Sequence, residues 1–232
     1  SVFRIEGFLL PKPTVIAATF RQELSVIFPA GLFTMREAVG GFVMGCVLGL
    51  LMALATARWS AIHEGVMPFA IAVNSTPIIA LAPIMNNWFG ITNPLAKMSI
   101  VAAIVFFPVM INTVRGLTQV DAGALELMRS YAAREAEILF HLRIPNALPY
   151  VFSAFKVAAT LSVIGAIVSE YFGGSRNALG VYISQQAALF HFAEAWSAII
   201  SACLMGILFY LLLLLVERAV MPWHVSLRAL EE

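Results

Sequence analysis

Charged residues are scarce in this chain. Of its 232 residues, 12% are Asp, Glu, Lys or Arg, about half the usual share of roughly 25%. The two signs nearly cancel, with 14 Lys plus Arg against 13 Asp plus Glu, while 61% of the residues are hydrophobic. So few ionised groups cannot cover a soluble globule of this size. The composition excludes a soluble enzyme, a disordered linker and an electrostatic nucleic-acid binder, and it indicates an integral membrane protein.

Cysteine and metal-binding patterns are equally scarce. The two cysteines, Cys46 and Cys203, exclude a disulfide framework and are predicted to be small buried residues, because both lie in apolar runs. The sequence contains no G-x-x-x-x-G-K-[ST] phosphate loop, no HExxH and no CxxC, and its four histidines have no ligand spacing. We therefore expect no cofactor, no metal site and no ATP hydrolysis by this chain itself.

Long uncharged stretches are abundant, and a membrane-spanning helix needs about 20 apolar residues. A span is predicted from about Tyr150 to Phe172, with Lys156 and Glu170 near the two membrane interfaces. A loop and a short re-entrant or surface helix are predicted over 173–193. Three further spans are predicted between charged residues, over 38–57, 98–114 and 195–216.

The stretch between Glu64 and Lys97 has 32 uncharged residues and four prolines, too long for one straight helix. Proline breaks a helix, and lipid offers no replacement hydrogen-bond partner. We predict one interrupted span, Pro68–Met85, followed by a loop. Polar groups at membrane depth either face water or satisfy backbone groups that the prolines free, and both alternatives remain open. The candidates for a translocation path are Asn74, Ser75, Thr76 and, in another span, Asn112.

Small residues recur every four positions in the 38–57 span. Gly41, Gly45 and Gly49 are continued by Ala53 and Ala57. Such a stripe lets a second helix approach closely. We predict helix packing along this stripe, within the bundle or across a dimer.

The segment 117–149 is the most charged part of the chain. Asp121 is predicted to cap a helix whose apolar stripe is Leu125, Met128 and Ala132, with Glu126 and Arg129 facing away. A second helix is predicted over Arg134–Arg143, ending before Pro145. This pattern favours a helix–turn–helix on the membrane surface that docks into a partner's groove. The alternative is a loop that packs against its own bundle.

The spacing in this segment resembles the EAA motif of ABC-transporter permeases, E-A-A-x3-G-x9-I-x-L-P. Glu126 is followed six residues later by Ala132 and then by the tetrapeptide 142–145. Alanine resists the positive φ that the motif glycine allows, so a tighter turn or a reoriented coupling element is expected. The nitrate/taurine/sulfonate-type importer permeases, with the thiamine-precursor and riboflavin permeases, are similar at further places: Phe8–Pro13, Trp88–Ile91, Phe107–Thr113, Asn146–Tyr150 and Ser169–Gly173.

The resemblance implies an all-α integral membrane protein with the type I ABC importer architecture, one permease domain over 1–232. Five spans are visible, and a sixth is expected before the first residue, which is Ser rather than Met. Such a permease forms a homodimer in the lipid of the bacterial inner membrane. It works with two ATP-binding subunits and a periplasmic or lipid-anchored solute-binding protein.

In this family, ATP-driven closure of the ATPases moves the coupling helices and alternates access to a central path. For the transported solute, we expect a vitamin-like or heteroaromatic compound slightly more than an inorganic anion. The alternative is a stand-alone secondary transporter, for which internal repeats and acids deep inside a span are more usual. The implied coupling residues are Leu125, Glu126, Met128, Arg129, Ala132, Leu142, Ile144 and Pro145.

Overall fold

The computed structural model describes residues 11–58 and 76–222, together with the single positions 65, 68 and 72. The elements in these two stretches are helical. A 3-10 turn, Ile78–Leu81, precedes α3, and a π-helical turn, Leu139–Arg143, joins α6 to α7. The helices are α1 Pro13–Gln22, α2 Leu24–Arg58, α3 Ala82–Phe89, α4 Pro94–Thr118, α5 Ala122–Ser130, α6 Glu135–Ile138, α7 Ile144–Tyr171, α8 Leu179–Ala188 and α9 Phe192–Val220.

Four helical stretches of the described residues are long and apolar enough to cross a membrane: Leu24–Ala57, Pro94–Thr118, Glu135–Tyr171 and Phe192–Val220. They correspond to four of the five predicted spans, but each is longer than predicted. Charged residues do not end these helices, and the side chains of some of them find partners inside the bundle. Lys156 of α7, for example, lies 2.7 Å from Glu217 of α9. The short helix α8 lies where a short helix was predicted.

The interrupted span predicted over Pro68–Met85 falls partly outside the described residues. From residue 76 onward the chain forms the 3-10 turn and then the eight-residue helix α3, which ends at Gly90 with a φ of 96°. Proline at position 83 sits in the first turn of α3, where its missing N–H costs nothing. The described part is therefore a short apolar helix, Ile78–Phe89, and not a full crossing.

Helix α4 lies at the centre of the bundle, between α2 and α7. A Cβ atom added to Gly45 of α2 would lie 2.6 Å from the Ala102 carbonyl oxygen of α4. At Gly49 the distance to the Phe106 oxygen would be 2.9 Å. The predicted small-residue stripe is thus confirmed, and it serves packing within the bundle. The main core cluster includes Phe42, Val101, Val105, Ala158 and Phe209.

The direction of the helices gives the bundle two distinct ends. Gly41 lies against Val101 and Gly49 against Phe106, so α2 and α4 run parallel. Helix α7 runs the opposite way, with Ala147 beside Gly116 of α4. The segment 117–149 is therefore at one end of the bundle. The N-terminal part of α4 and the C-terminal part of α7 are at the opposite end.

Two predictions from the sequence are wrong. The helix that begins at Arg134 does not stop before Pro145: it continues through the π-helical turn into α7, and the proline occupies the first turn of α7. The wider hydrogen-bond spacing of a π turn accommodates this continuation. Cys203 is exposed on α9, whereas Cys46 is buried as predicted. An apolar run does not show which of its residues face outward.

Candidate functional site

Helix α5 is a short helix that Asp121 starts and Ala132 ends. The Asp121 carboxylate accepts a hydrogen bond from the backbone N–H of Ala124 at 2.8 Å, which confirms the predicted cap. Ala132 has a φ of 54°, so alanine adopts the left-handed conformation expected of the motif glycine. The expectation of a tighter turn is therefore wrong. The turn keeps the glycine-like geometry at the cost of some backbone strain.

The exposed apolar side chains of this region differ from the predicted stripe. Leu125 and Met128 are half-buried, while Glu126 and Arg129 are exposed. Leu127 is 58% exposed and Tyr131 is 78% exposed. These two residues are four positions apart and share one side of the helical turn. We call Leu127 and Tyr131 the exposed apolar pair. Their i, i+4 spacing is visible in the sequence, but the predicted apolar stripe did not include them.

The base of this segment is anchored firmly to the bundle. Leu142 and Ile144 are half-buried and Pro145 is exposed, and Ile144 packs against the buried cluster of Leu117 and Ala147. The side-chain amide of Asn146 donates to the Gly116 carbonyl at 2.8 Å and to the Gln119 carbonyl at 3.0 Å. Asn146 thus satisfies two carbonyl groups at the C-terminal end of α4. It ties α4 to α7 at the point where the surface segment leaves the bundle.

A cleft of about 370 Å³ lies between the end of α2 and the second part of the segment. The Nε atom of Arg143 is buried and has no hydrogen-bond partner among the described residues. Buried donors are nearly always paired in folded proteins. Arg143 therefore brings to this end of the bundle a cationic side chain with one donor that the described residues leave unpaired. The lining residues of the cleft are Leu54, Ala57, Glu135, Ala136, Leu139 and Arg143.

The predicted path residues are not brought together by the described part of the structure. Asn74 and Ser75 lie outside the described residues, and Thr76 is exposed at their edge. Asn112 is half-buried, and its side-chain amide donates to the Pro108 carbonyl of its own helix at 2.8 Å. The stretch 76–93 leads into the start of α4 at Pro94, so Asn112 lies about 27 Å further along the helix axis.

At the opposite end of the bundle, three ionisable side chains are buried together. Glu37 of α2 is 2% exposed, and Lys97 of α4 and Glu170 of α7 are each 1% exposed. We call these three residues the buried charged cluster. Glu170 was predicted near a membrane interface; it lies one residue before the end of α7, and neighbouring helices enclose its carboxylate and donate hydrogen bonds to it.

Hydrogen bonds to Glu170 join three helices. Its Oε1 accepts from the Thr34 hydroxyl of α2 at 2.7 Å, and its Oε2 accepts from the backbone N–H of Gly180 of α8 at 2.6 Å. The Thr34 oxygen in turn accepts from the backbone N–H of Leu179 at 2.9 Å. The first turn of α8 is therefore held in place by α2 and α7 together.

Lys97 joins the remaining parts of this end. Its ammonium donates to the Asn86 side-chain oxygen at 2.8 Å and to the Ile91 carbonyl at 2.5 Å. The Asn86 amide donates to the Phe172 carbonyl at 3.1 Å. The stretches Trp88–Ile91 and Ser169–Gly173, which the sequence analysis noted separately, thus meet around one buried lysine. Sequence reasoning missed this cluster because it took the charges to mark the ends of spans.

Comparisons with known proteins place these features in a family. The family described as "Binding-protein-dependent transport system inner membrane component" matches residues 45–224. The chain is 29% identical over 220 residues to the formylaminopyrimidine transport permease protein ThiX of Halalkalibacterium halodurans, covering 94% of this chain and 87% of ThiX. It is 30% identical over 222 residues to the riboflavin transport system permease protein RibX of Chloroflexus aurantiacus, covering 95% and 82%.

A solved structure has a similar fold. The crystal structure of an amino acid ABC transporter with histidines aligns with a TM-score of 0.69 at 20% sequence identity, covering 85% of this chain and 95% of that chain. At this identity the likeness concerns the fold alone.

Proposed function

This chain belongs to the family of inner membrane components of binding-protein-dependent transport systems. We propose that residues 121–133 bind the ATP-binding subunit and move with it when ATP is hydrolysed. The protein is a multi-pass inner membrane permease of an ABC importer for small solutes, and it is not the ATPase. Its partners are an ATPase and a binding protein. The observation that carries the proposal is the exposed apolar pair on a capped surface helix within the matched residues.

In this proposal the exposed apolar pair fills a groove on the ATP-binding subunit. Apolar side chains spaced i, i+4 on a short helix are the usual anchors of helix-in-groove recognition. Glu126 and Arg129 make the polar contacts around them, and Ala132 shapes the turn. Leu125 and Met128 are half-buried and support the docking face.

The base of the segment transmits the movement. Leu142, Ile144 and Pro145 lead directly into α7, and Asn146 is hydrogen-bonded to the end of α4. A push on α5 therefore reaches two long helices at once. Arg143, in the cleft beside α2, provides a buried cationic donor that an acidic side chain of the ATP-binding subunit pairs with.

The proposed assembly contains two copies of this permease and two ATP-binding subunits. Each copy has the type I importer arrangement, in which the four long helices are membrane spans and the short apolar helix Ile78–Phe89 packs among them. The similarity in fold to a solved ABC transporter supports this arrangement. The segment 117–149 faces the cytoplasm, and the two copies alternate access to a path between them.

We propose that a neutral or weakly charged heteroaromatic solute moves along this path. Asn74, Ser75, Thr76 and Asn112 supply its polar lining, and charged groups are few in the long helices. Two similar permeases carry names that specify formylaminopyrimidine and riboflavin transport. A periplasmic or lipid-anchored binding protein delivers the solute.

Reconstitution tests this proposal. The chain is co-expressed with its ATP-binding subunit and binding protein, extracted in mild detergent, and its stoichiometry is measured by light scattering. We expect two copies of each subunit and vanadate-sensitive ATP hydrolysis that the solute-loaded binding protein stimulates. A chain that purifies alone and moves solute along an ion gradient would instead be a secondary transporter. Uptake of labelled riboflavin, a pyrimidine, taurine and nitrate in the same vesicles separates the solute classes.

A further inference from the structure

Helices α7 and α9 form a polar crevice on the surface of the bundle. Its volume is about 310 Å³. Two hydroxyl groups, a phenol and an ammonium meet in it, although both helices are long and apolar enough to span a membrane. Ser153, Thr160 and Tyr210 are exposed there. The lining residues of the crevice are Ser153, Lys156, Val157, Thr160 and Tyr210.

The crevice lies at membrane depth. Ala147 of α7 is beside Gly116, near the end of α4. Lys156 is nine residues further along α7, which is about 14 Å along the helix axis. The hydrocarbon core of a bilayer is about 30 Å thick. Ionisable side chains at such a depth are costly in lipid, and they typically face a bundle interior or a water-filled cavity.

The charge in the crevice is balanced. The Lys156 ammonium donates to a Glu217 carboxylate oxygen at 2.7 Å. An ammonium has three N–H donors, so donors remain for a ligand. The Thr160 hydroxyl donates to the Val157 carbonyl at 2.8 Å, and its oxygen can accept a hydrogen bond in return. A crevice without net charge does not select an anion such as a lipid phosphate, and it suits a neutral ligand that both donates and accepts.

An apolar groove of about 480 Å³ continues the crevice along the same two helices, and Thr160 lines both. On α7 the groove runs past Ile164 and Val168 to Tyr171. Tyr171 is 18 residues beyond Ser153, which is about 27 Å along the helix axis and close to the thickness of the hydrocarbon core. We call the crevice and this groove together the α7–α9 trough. The trough therefore extends across the membrane.

We propose that the α7–α9 trough is one wall of the translocation path and that its polar crevice is a binding site for a neutral heteroaromatic solute. This inference rests on the proposed function as an importer. The Tyr210 ring supplies a face on which an aromatic solute stacks, while Lys156 donates and Thr160 accepts hydrogen bonds. A lipid chain or an apolar helix in the crevice would leave the remaining Lys156 donors unpaired, which is costly.

Thiol labelling in proteoliposomes tests whether the trough contains water. The full chain, in complex with its ATP-binding subunit, carries C203A because Cys203 lines the groove, while Cys46 is buried. A charged, water-soluble methanethiosulfonate reagent is supplied on both sides, without nucleotide and with ATP and vanadate. In at least one of these states, S153C and T160C should react at least about tenfold faster than L212C, because the reactive thiolate forms in water.

Leu212 is the matched control for depth. It is 55% exposed and lies two residues after Tyr210, which places it roughly 200° around the helix and away from the trough. Equal rates in the three variants, or no reaction of S153C and T160C in either state, would overturn the proposal. If one of these two variants does not assemble, the other decides.

Uptake by the complete transporter tests the binding site. Labelled riboflavin, a pyrimidine, taurine and nitrate are compared in the same vesicles. Y210L should lower kcat/KM for the heteroaromatic solute at least about fivefold through loss of stacking. Y210F, which keeps the ring, should recover most of that loss, and L212A should transport normally.

Three results would contradict the binding site in different ways. Unchanged uptake in Y210L beside an active wild type would remove Tyr210 from it. Wild-type uptake of taurine or nitrate alone would exclude a heteroaromatic ligand. ATP-dependent uptake of none of the four solutes, with no ATP hydrolysis stimulated by the binding protein, would instead contradict the proposed importer function itself.

Discussion

Ala132 and Tyr182 are two residues whose behaviour depends on their immediate surroundings. Ala132 keeps a φ of 54° because the chain must turn between α5 and α6. The phenol of Tyr182 in α8 donates to a Glu23 carboxylate oxygen at 3.4 Å. Burial, followed by the charges of Glu23 and Glu194, raises the pKa of Tyr182 to about 12. Neither property follows from residue type alone, and each leads to a measurable prediction.

Replacing Ala132 by glycine should stabilise the protein. A left-handed alanine costs about 1 kcal/mol or slightly more, and glycine removes that cost. For a chain of this size we expect the Tm to rise by about 2–4 °C. The matched control is Ala133→Gly, at the next position, where φ is not positive and glycine should lower the Tm. Equal shifts in the two variants would contradict the backbone argument.

The ionisation of Tyr182 should make stability fall at high pH. Its pKa is about 12 in the folded protein, against an ordinary value of 10.0 for tyrosine. The folded state therefore keeps its proton where the unfolded state loses it, and the free energy of unfolding decreases between those pH values. Below pH 10 this contribution is fully present. In Y182F the decrease should be shallower, as measured by denaturant unfolding, and tyrosinate absorbance near pH 12 should be smaller.

At the scale of helices, close approach of backbones organises the bundle. The glycine stripe of α2 places its backbone against the carbonyl groups of α4, and Gly116 of α4 does the same against Ala147 of α7. The four-residue spacing predicted the first contact, because small residues at i, i+4 form one flat side of a helix. The second contact was not predicted, since a single glycine gives no periodic signal.

Substitution of Gly45 by alanine should weaken the α2–α4 contact. The added Cβ would lie 2.6 Å from the Ala102 carbonyl oxygen and 2.9 Å from the Val105 Cβ. Overpacking of this kind costs about 1–3 kcal/mol. The control Gly206→Ala in α9 meets no atom within 4 Å and should be neutral or slightly stabilising. Thermal unfolding in detergent compares them, and a Tm loss in G206A as large as in G45A would contradict the prediction.

For the whole molecule, the two ends of the bundle have different surfaces. The 117–149 end presents a short helix with the exposed apolar pair, and the opposite end contains the buried charged cluster. Long parallel and antiparallel helices connect the two ends. A change in docking at one end can therefore be separated experimentally from a change in packing at the other.

A charge on the exposed apolar pair should prevent assembly with the ATP-binding subunit. In Tyr131→Asp a carboxylate replaces an anchor that is 78% exposed in the free permease, so folding should be unaffected while docking is lost. We expect co-purification of the ATPase to fall at least about tenfold, the effect of roughly 1.4 kcal/mol. The matched control Leu189→Asp changes a 61% exposed residue near the opposite end and should assemble normally. Normal assembly of Y131D would remove residues 121–133 from the docking surface.

The sequence alone determined the class of the protein and most of its helices. Scarce charge and long apolar stretches require a membrane protein, because lipid-facing surface needs no ionised groups. The Asp121 cap, the glycine stripe and the EAA-like spacing of 126–145 are local patterns, readable without a fold. The family match over 45–224 agrees with the membership that the EAA-like spacing indicated. The boundaries of the spans were less predictable, because charged residues were assumed to lie outside them.

Only the tertiary structure decided which charges belong together. Glu37, Lys97 and Glu170 are far apart in the chain, and each one marked or approached the end of a predicted span. Parallel packing of α2 on α4, with α7 antiparallel, brings them to one end of the bundle. The burial of Glu170 and Lys97 is tolerable because a backbone N–H group, a hydroxyl group and a side-chain amide from other elements pair with them. Hydrogen bonds between residues this far apart leave no pattern in the local sequence. The length of an apolar stretch and a helix-capping residue, by contrast, can be read directly from it.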